Sequence, residues 1–328
     1  MAEKKELVLS AFGNKPVSRV PVGFWFHYTQ NEILLAYDKP EMREQNISGH
    51  KKFAQEFQPD FVKLMSDGYF FEPESAASLK NAASAADLTK IKPIEADNKW
   101  IRDQVSLVKE LTSSFGGEVL TFYNVFAPAT AFKWSVGGDK KLAAFIKEDK
   151  AAVIQALAVL AQNAALLARA VISEGGADGI YLSVQTIQDA SVGPDLYHEV
   201  IAPAELSVLT AANVAGGKNI LHVCGYEGAR NNLSLFANYP AAAVNFASVV
   251  EGVSLAEGKK IFGGKAVIGG FANTKDGILY KGTKEEVQAE TRRLLSEAGR
   301  TGIILGADCT IPKDIPFERL EWVREAAK

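Results

Sequence analysis

A histidine and a cysteine stand two residues apart in LHVCG, as His222 and Cys224. The chain has only two cysteines and four histidines, so one of each is placed here, just after an apolar run. If that run is a β-strand, alternate residues share a face: His222 and Cys224 point one way, Leu221 and Val223 the other. The second cysteine, Cys309, falls in LGADCTIPKDIP, just beyond another apolar run. Two thiolates and an imidazole converging from two strand ends form a donor set suited to zinc. Catalytic zinc sites commonly have three protein ligands and an open fourth position. Without a fold to bring them together, the same residues would read as small buried hydrophobes and a histidine bonded to a carbonyl. No HExxH competes, GGDKK and FGGK lack phosphate-loop spacing, and no GxGxxG follows a strand.

Other residues at strand ends could serve the same pocket. Asp67 in MSDG and His27 in GFWFHY are the candidate catalytic acid or base. Asp-Gly is also a common turn, and a histidine between aromatics can simply be packed. Tyr123 and Asn124 in YNVFAPAT, Gln185 in YLSVQ and Asn245 in VNFAS are candidate substrate contacts. His50 and His198 fall in helical stretches and are expected at the surface. YNVFAPATAF and GFWFHY could wall a flat or hydrophobic ligand, or belong to the core.

The elements that must position these residues follow a rhythm of short β-branched or aromatic runs, polar or glycine turns, and helical stretches. Eight runs read as strands: Val20 to Phe24, Phe61 to Met65, Glu118 to Tyr123, Gly179 to Val184, Asn219 to Val223, Ala242 to Phe246, Lys265 to Gly270 and Gly302 to Gly306. Helices are expected over Trp100 to Phe115, Pro194 to Val214, and Thr283 to Gly299. The last has a Thr N-cap, Glu286 three residues on, and a closing glycine. Strands alternating with helices indicate a parallel sheet, either an open doubly wound sheet or a barrel. The count of eight in 328 residues favours a single (β/α)8 barrel over residues 1–328. The opening MAEKKELVLSAFG reads as an N-terminal amphipathic helix. The apolar stretch Ala151 to Ile172 is interrupted by Gln155, Gln162, Asn163 and Arg169, and reads as a helix packed on a sheet, not a bilayer span.

Net charge of −3 leaves no basic field for nucleic acid or acidic lipid. Two cysteines in so long a chain exclude a disulfide framework and fit a reducing, cytoplasmic setting.

With LHVCG and LGADCTIPKDIP in place, the chain resembles the uroporphyrinogen decarboxylase superfamily. Within it, the motifs are similar to those of cobalamin-dependent methyltransferases that move a methyl group between a corrinoid protein and a thiol. RVPVGFWFHY, PDFVKLMSDG, GADGIYLSVQ and GKAVIGGFANT carry the resemblance along nearly the whole chain. It implies a barrel with zinc at His222, Cys224 and Cys309, and a small thiol as acceptor. It also implies a corrinoid supplied by a partner protein, and a homodimer is plausible. The decarboxylases of the superfamily carry an arginine-rich segment after the first strand that grips porphyrinogen carboxylates. Here that segment is GFWFHYTQNE, without arginine, and Arg19 precedes the strand. A poly-anionic substrate would lack its strongest handle. The expectation is therefore a zinc-dependent methyltransferase. The alternatives are a porphyrinogen decarboxylase and a barrel that binds a corrinoid or tetrapyrrole without turnover.

Overall fold

The computed structural model describes residues 3–31, 36 and 39–328. Met1 and Ala2 of the opening segment, and Glu32 of GFWFHYTQNE, lie outside them. Among the described residues seven strands, all parallel and paired in chain order, form one curled sheet. They are β1 (Phe61–Leu64), β2 (Leu120–Phe126), β3 (Gly179–Val184), β4 (Ile220–Val223), β5 (Ala243–Phe246), β6 (Ala266–Phe271) and β7 (Ile303–Ala307).

The expected first strand, Val20 to Phe24, is not a full strand but touches both edges of the sheet. Gly23 N donates to Leu305 O at 2.9 Å, and Leu305 N donates to Pro21 O at 2.9 Å. On the other side Asp60 N donates to Val22 O at 3.3 Å, and Val22 N donates to the Asp60 carboxylate at 2.8 Å. Pro21 brings no N–H to a ladder, which limits the regular pairing. Gly23 is required by close approach: a Cβ there would sit 2.1 Å from the Phe61 ring. Arg19 forks onto Asp60 at 2.7 and 2.6 Å and holds the segment at this end. The result is an α/β fold compatible with a TIM-barrel-like architecture.

Strand parity sorts the side chains into two cores. Phe61, Leu120, Phe122, Tyr181, Ile220, Ala243, Ala266, Ile268 and Ile304 point inward with Trp25. Val62, Leu64, Tyr123, Val125, Leu182, Leu221, Val223, Val244 and Val267 point outward to the helices. Helix Glu3–Phe12 lays Val8 and Ala11 against the inner cluster, with Phe12 5.9 Å from Phe122. Helix Lys150–Ser173 is long and apolar enough to cross a membrane by composition, but 56% of its most apolar window is buried within the molecule.

Helix Lys284–Ala298 starts at the Thr283 capping box and ends at Gly299, whose φ of 77° suits glycine. The stretch Pro194 to Val214 is not one regular helix. A π-turn over Tyr197–Ile201 precedes Ala202–Val214, and Pro203 at that junction has no N–H for the regular ladder.

His50 corrects the sequence reading. It is fully buried in helix Pro40–Glu56, not at the surface; His198 is exposed as expected. Nδ1 donates to Asn46 O at 2.8 Å, and Nε2 accepts from Met65 N at 3.1 Å. This neutral tautomer clamps the end of β1, and burial lowers the pKa of His50 to about 4. Its unfolded value of about 6.5 lies above that. This contribution to stability is therefore complete above pH ~6.5 and is lost as pH falls toward about 4. The expected loss is about 3 kcal/mol. In denaturant titrations across that range, His50→Gln should show a flatter dependence on pH than the wild type.

Candidate metal centre and pocket

The C-terminal strand ends surround a pocket lined by His222, Cys224 and Cys309. The ligand atoms of these three residues lie within 4.8 Å of one another. Each has a local reason to be there. His222 is an inward residue of β4, like Ile220, with outward Leu221 and Val223 on either side, as parity requires. Cys224 is fixed by its N–H on Val184 O at 3.0 Å and by Asn231 Nδ2 on its carbonyl at 3.0 Å. Cys309 follows Asp308, whose N–H bonds Phe271 O at 2.8 Å. The Asp308 carboxylate accepts from Val249 N, Val250 N and Ser248 Oγ at 3.0–3.1 Å. Burial raises the Asp308 pKa to about 6 despite these bonds.

The imidazole is set in one tautomer. Asn245 Nδ2 is committed to Ile268 O at 2.9 Å and Ala307 O at 3.2 Å, so its Oδ1 faces His222 Nδ1 at 2.5 Å as acceptor. Nδ1 must then carry the proton, leaving the Nε2 lone pair facing Cys309 Sγ at 3.5 Å. The two sulfurs are 3.9 Å apart. A tetrahedral zinc with Zn–S of ~2.3 Å and Zn–N of ~2.0–2.1 Å would place two sulfurs ~3.8 Å apart and sulfur and nitrogen ~3.6 Å apart. The donor set and its spacing fit that ion. The hydrogen bond between the sulfurs splits their acidities. It is the largest influence holding Cys309 well below the usual thiol range, and it pushes Cys224 up together with burial.

His27 lines the same pocket, and its Nδ1 lies 2.8 Å from Asp67 Oδ1. The other Asp67 oxygen accepts from Tyr28 N at 2.8 Å and Thr29 N at 3.4 Å. Burial opposes the Asp67 charge, but His27 and these N–H groups outweigh it and hold the carboxyl below its ordinary value. His27 Nε2 is 3.5 Å from Thr310 Oγ1, the residue next to Cys309. Asp67 itself is buried behind the ring and does not line the pocket.

Of the candidate substrate contacts, Asn124 and Gln185 line the pocket. Asn124 Nδ2 donates to Ser66 Oγ at 2.9 Å. Two others do not line it. Because β2 runs on to Phe126, parity turns Tyr123 outward, where its hydroxyl donates to Gln104 Oε1 at 2.8 Å. Asn245 is fully buried behind His222, as its orienting partner. The aromatic wall is built from Phe70, Phe71, Phe126, Trp134 and Tyr226. Lys63 and Thr130 also line the pocket and were not singled out from the sequence. The signal for Lys63 was a lysine at an inward position of the otherwise apolar FVKLM. Among the described pocket residues there is no arginine, and Arg19 is occupied by Asp60.

Fold and site together define an α/β protein of barrel-like architecture with a His/Cys/Cys cluster at the carboxyl ends of its strands. The family model for uroporphyrinogen decarboxylase (URO-D) matches residues 64–328, and the chain belongs to that family. No curated protein matches it by sequence. Among solved structures it is similar to a methyltransferase from Methanosarcina mazei, with a TM-score of 0.70 and 15% identity over 100% of this chain and 98% of that one. It is also similar to a B12-independent methionine synthase from Shewanella sp. W3-18-1 in complex with selenomethionine. There the TM-score is 0.55, with 12% identity over 94% of this chain and 97% of that one. At these identities the likeness is one of fold.

Proposed function

We propose that the protein is a zinc-dependent methyltransferase that moves a methyl group between a corrinoid carried by a partner protein and a small thiol, within a (β/α)8 barrel. The observation that carries this reading is the spacing of His222 Nε2, Cys224 Sγ and Cys309 Sγ at one apolar-walled pocket. The fold shared with a methyltransferase from Methanosarcina mazei agrees with it. Zinc held by these three residues would supply the Lewis acidity that keeps a substrate thiol deprotonated near neutral pH.

The chain's own residues do the remaining work. His27, with its Nδ1 proton held by Asp67, offers Nε2 to the pocket as acceptor for the thiol proton. Asn245 keeps the His222 lone pair turned toward the two sulfurs. Phe70, Phe126 and Trp134 shed water and present an apolar face to the methyl donor. The porphyrinogen decarboxylase alternative is not favoured, because the pocket offers no guanidinium fork to a poly-carboxylate.

The test is zinc-reconstituted protein incubated with methylcobalamin and a panel of small thiols. Loss of the methylcobalamin spectrum should accompany thioether formation by mass spectrometry, and both should require zinc. Carbon dioxide release from a four-ring acetate substrate without metal, or ligand binding with no turnover of any methyl donor, would overturn the reading.

A further inference from the structure

One buried cation shares the pocket with the two cysteines. Lys63 is 3% exposed, and among the described residues it is the one lysine or arginine lining this pocket, with no carboxylate beside it in that lining. Its ammonium stands 4.4 Å from the centre of the Tyr181 ring and 5.3 Å from that of Trp25. Tyr181 in turn packs 5.6 Å from the His222 ring, and its hydroxyl is buried without a hydrogen-bond partner. Among the described residues no carboxylate forms an ion pair with Lys63. Two aromatic faces hold the charge but do not neutralise it. A buried charge without a counter-ion is costly, so its placement beside a cluster of ionisable sulfurs calls for a partner. Burial lowers the Lys63 pKa, and the charges of Cys309 and Cys224 are the largest effects opposing it.

The charge count supplies the missing partner. A dication with two thiolates is neutral. A neutral fourth ligand leaves it so, whereas a thiolate or other anion makes the centre an anion in a low-dielectric pocket. We propose that Lys63 is the charge-balancing residue of the metal centre: its ammonium offsets the negative charge that arrives with an anionic fourth ligand, and so selects thiolates over neutral donors. This inference rests on the metal-site reading above.

The test uses full-length protein loaded with cobalt(II) in place of zinc, as wild type, Lys63→Met and Lys63→Gln. The cobalt ligand-field and sulfur-to-cobalt bands report occupancy of the fourth position. Each protein is titrated at fixed pH with 2-mercaptoethanol and azide, which bind as anions, and with imidazole, which binds neutral. The expected result is roughly tenfold weaker binding of both anions in the variants. Imidazole affinity should stay within about twofold, since its binding adds no charge for Lys63 to offset. Equal weakening of all three ligands would assign Lys63 a packing role and overturn the inference, as would unchanged anion affinity. Two variants are used so that one that fails to fold does not decide the matter. Failure of the wild type to take up cobalt would overturn the metal-site reading and this inference with it, whereas cobalt uptake with unaltered anion binding overturns this inference alone.

Discussion

Cys309→Ser is expected to lose bound zinc, and with it methyl transfer, while keeping the fold. The wild type should retain near one zinc per chain by elemental mass spectrometry, and the variant should lose it in competition with a chelator. The affinity loss should be roughly 10³-fold or more. Loss of a partner that only orients a ligand already costs about 10–100-fold, and here a ligand itself is removed. The fold should survive because serine nearly preserves the volume, and because the loop is anchored by Asp308 on Val249 and Val250, not by the sulfur. Asn245→Ala gives the intermediate case. It frees the His222 ring and leaves the carbonyls of Ile268 and Ala307 without their shared donor. Zinc affinity should fall by about 10–100-fold, with a smaller but measurable loss of stability. If neither wild type nor variants take up zinc, the two sulfurs are packing residues and the proposed chemistry has no centre.

The parallel strands were legible because each is an apolar run ended by a turn, and all seven regular strands among the described residues fall within a few residues of their expected limits. The convergence of His222, Cys224 and Cys309 was legible for the same reason. His222 and Cys224 alternate with two residues that suit a helix-facing side, so parity alone turned them inward. Parity also explains the miss at Tyr123. With the strand expected to stop there, Tyr123 and Asn124 both looked like mouth residues, but three more residues of strand place them on opposite faces. His50 could not be recognised as buried, because the groups that satisfy it, Asn46 O and Met65 N, come together only after helix and strand have packed. Lys63 was hidden by the rule that strands buried on both faces are apolar. Its exception is tolerated by two aromatic rings that meet it from distant parts of the chain. The first strand was read as a full element because its apolar residues are right. Only three-dimensional pairing shows Pro21 and Gly23 reducing it to a bridge between sheet edges.

Asp67→Ala is expected to slow methyl transfer to an ordinary alkyl thiol by about 10²–10³-fold with zinc content unchanged. The argument starts from burial. Asp67 is 1% exposed and gives one oxygen to His27 Nδ1 and the other to two backbone N–H groups. Removing the carboxylate leaves the His27 ring free to rotate and to exchange tautomers, so Nε2 no longer stands ready as the proton acceptor. It also strands the Tyr28 and Thr29 N–H groups, which should cost about 1–3 kcal/mol each if no water reaches them. A lower thermal midpoint alone would therefore not distinguish a catalytic role for the pair from a structural one. The choice of acceptor does. A thiol already ionised at the assay pH, such as an aromatic thiol, needs no base, so the deficit should shrink to a few-fold with that substrate. Asp67→Asn, which keeps an acceptor oxygen but no charge, should fall between wild type and alanine with alkyl thiols. An equal deficit with both classes of thiol would remove His27 and Asp67 from the proton path and leave them as the clamp that holds residues 27–29 against the end of β1.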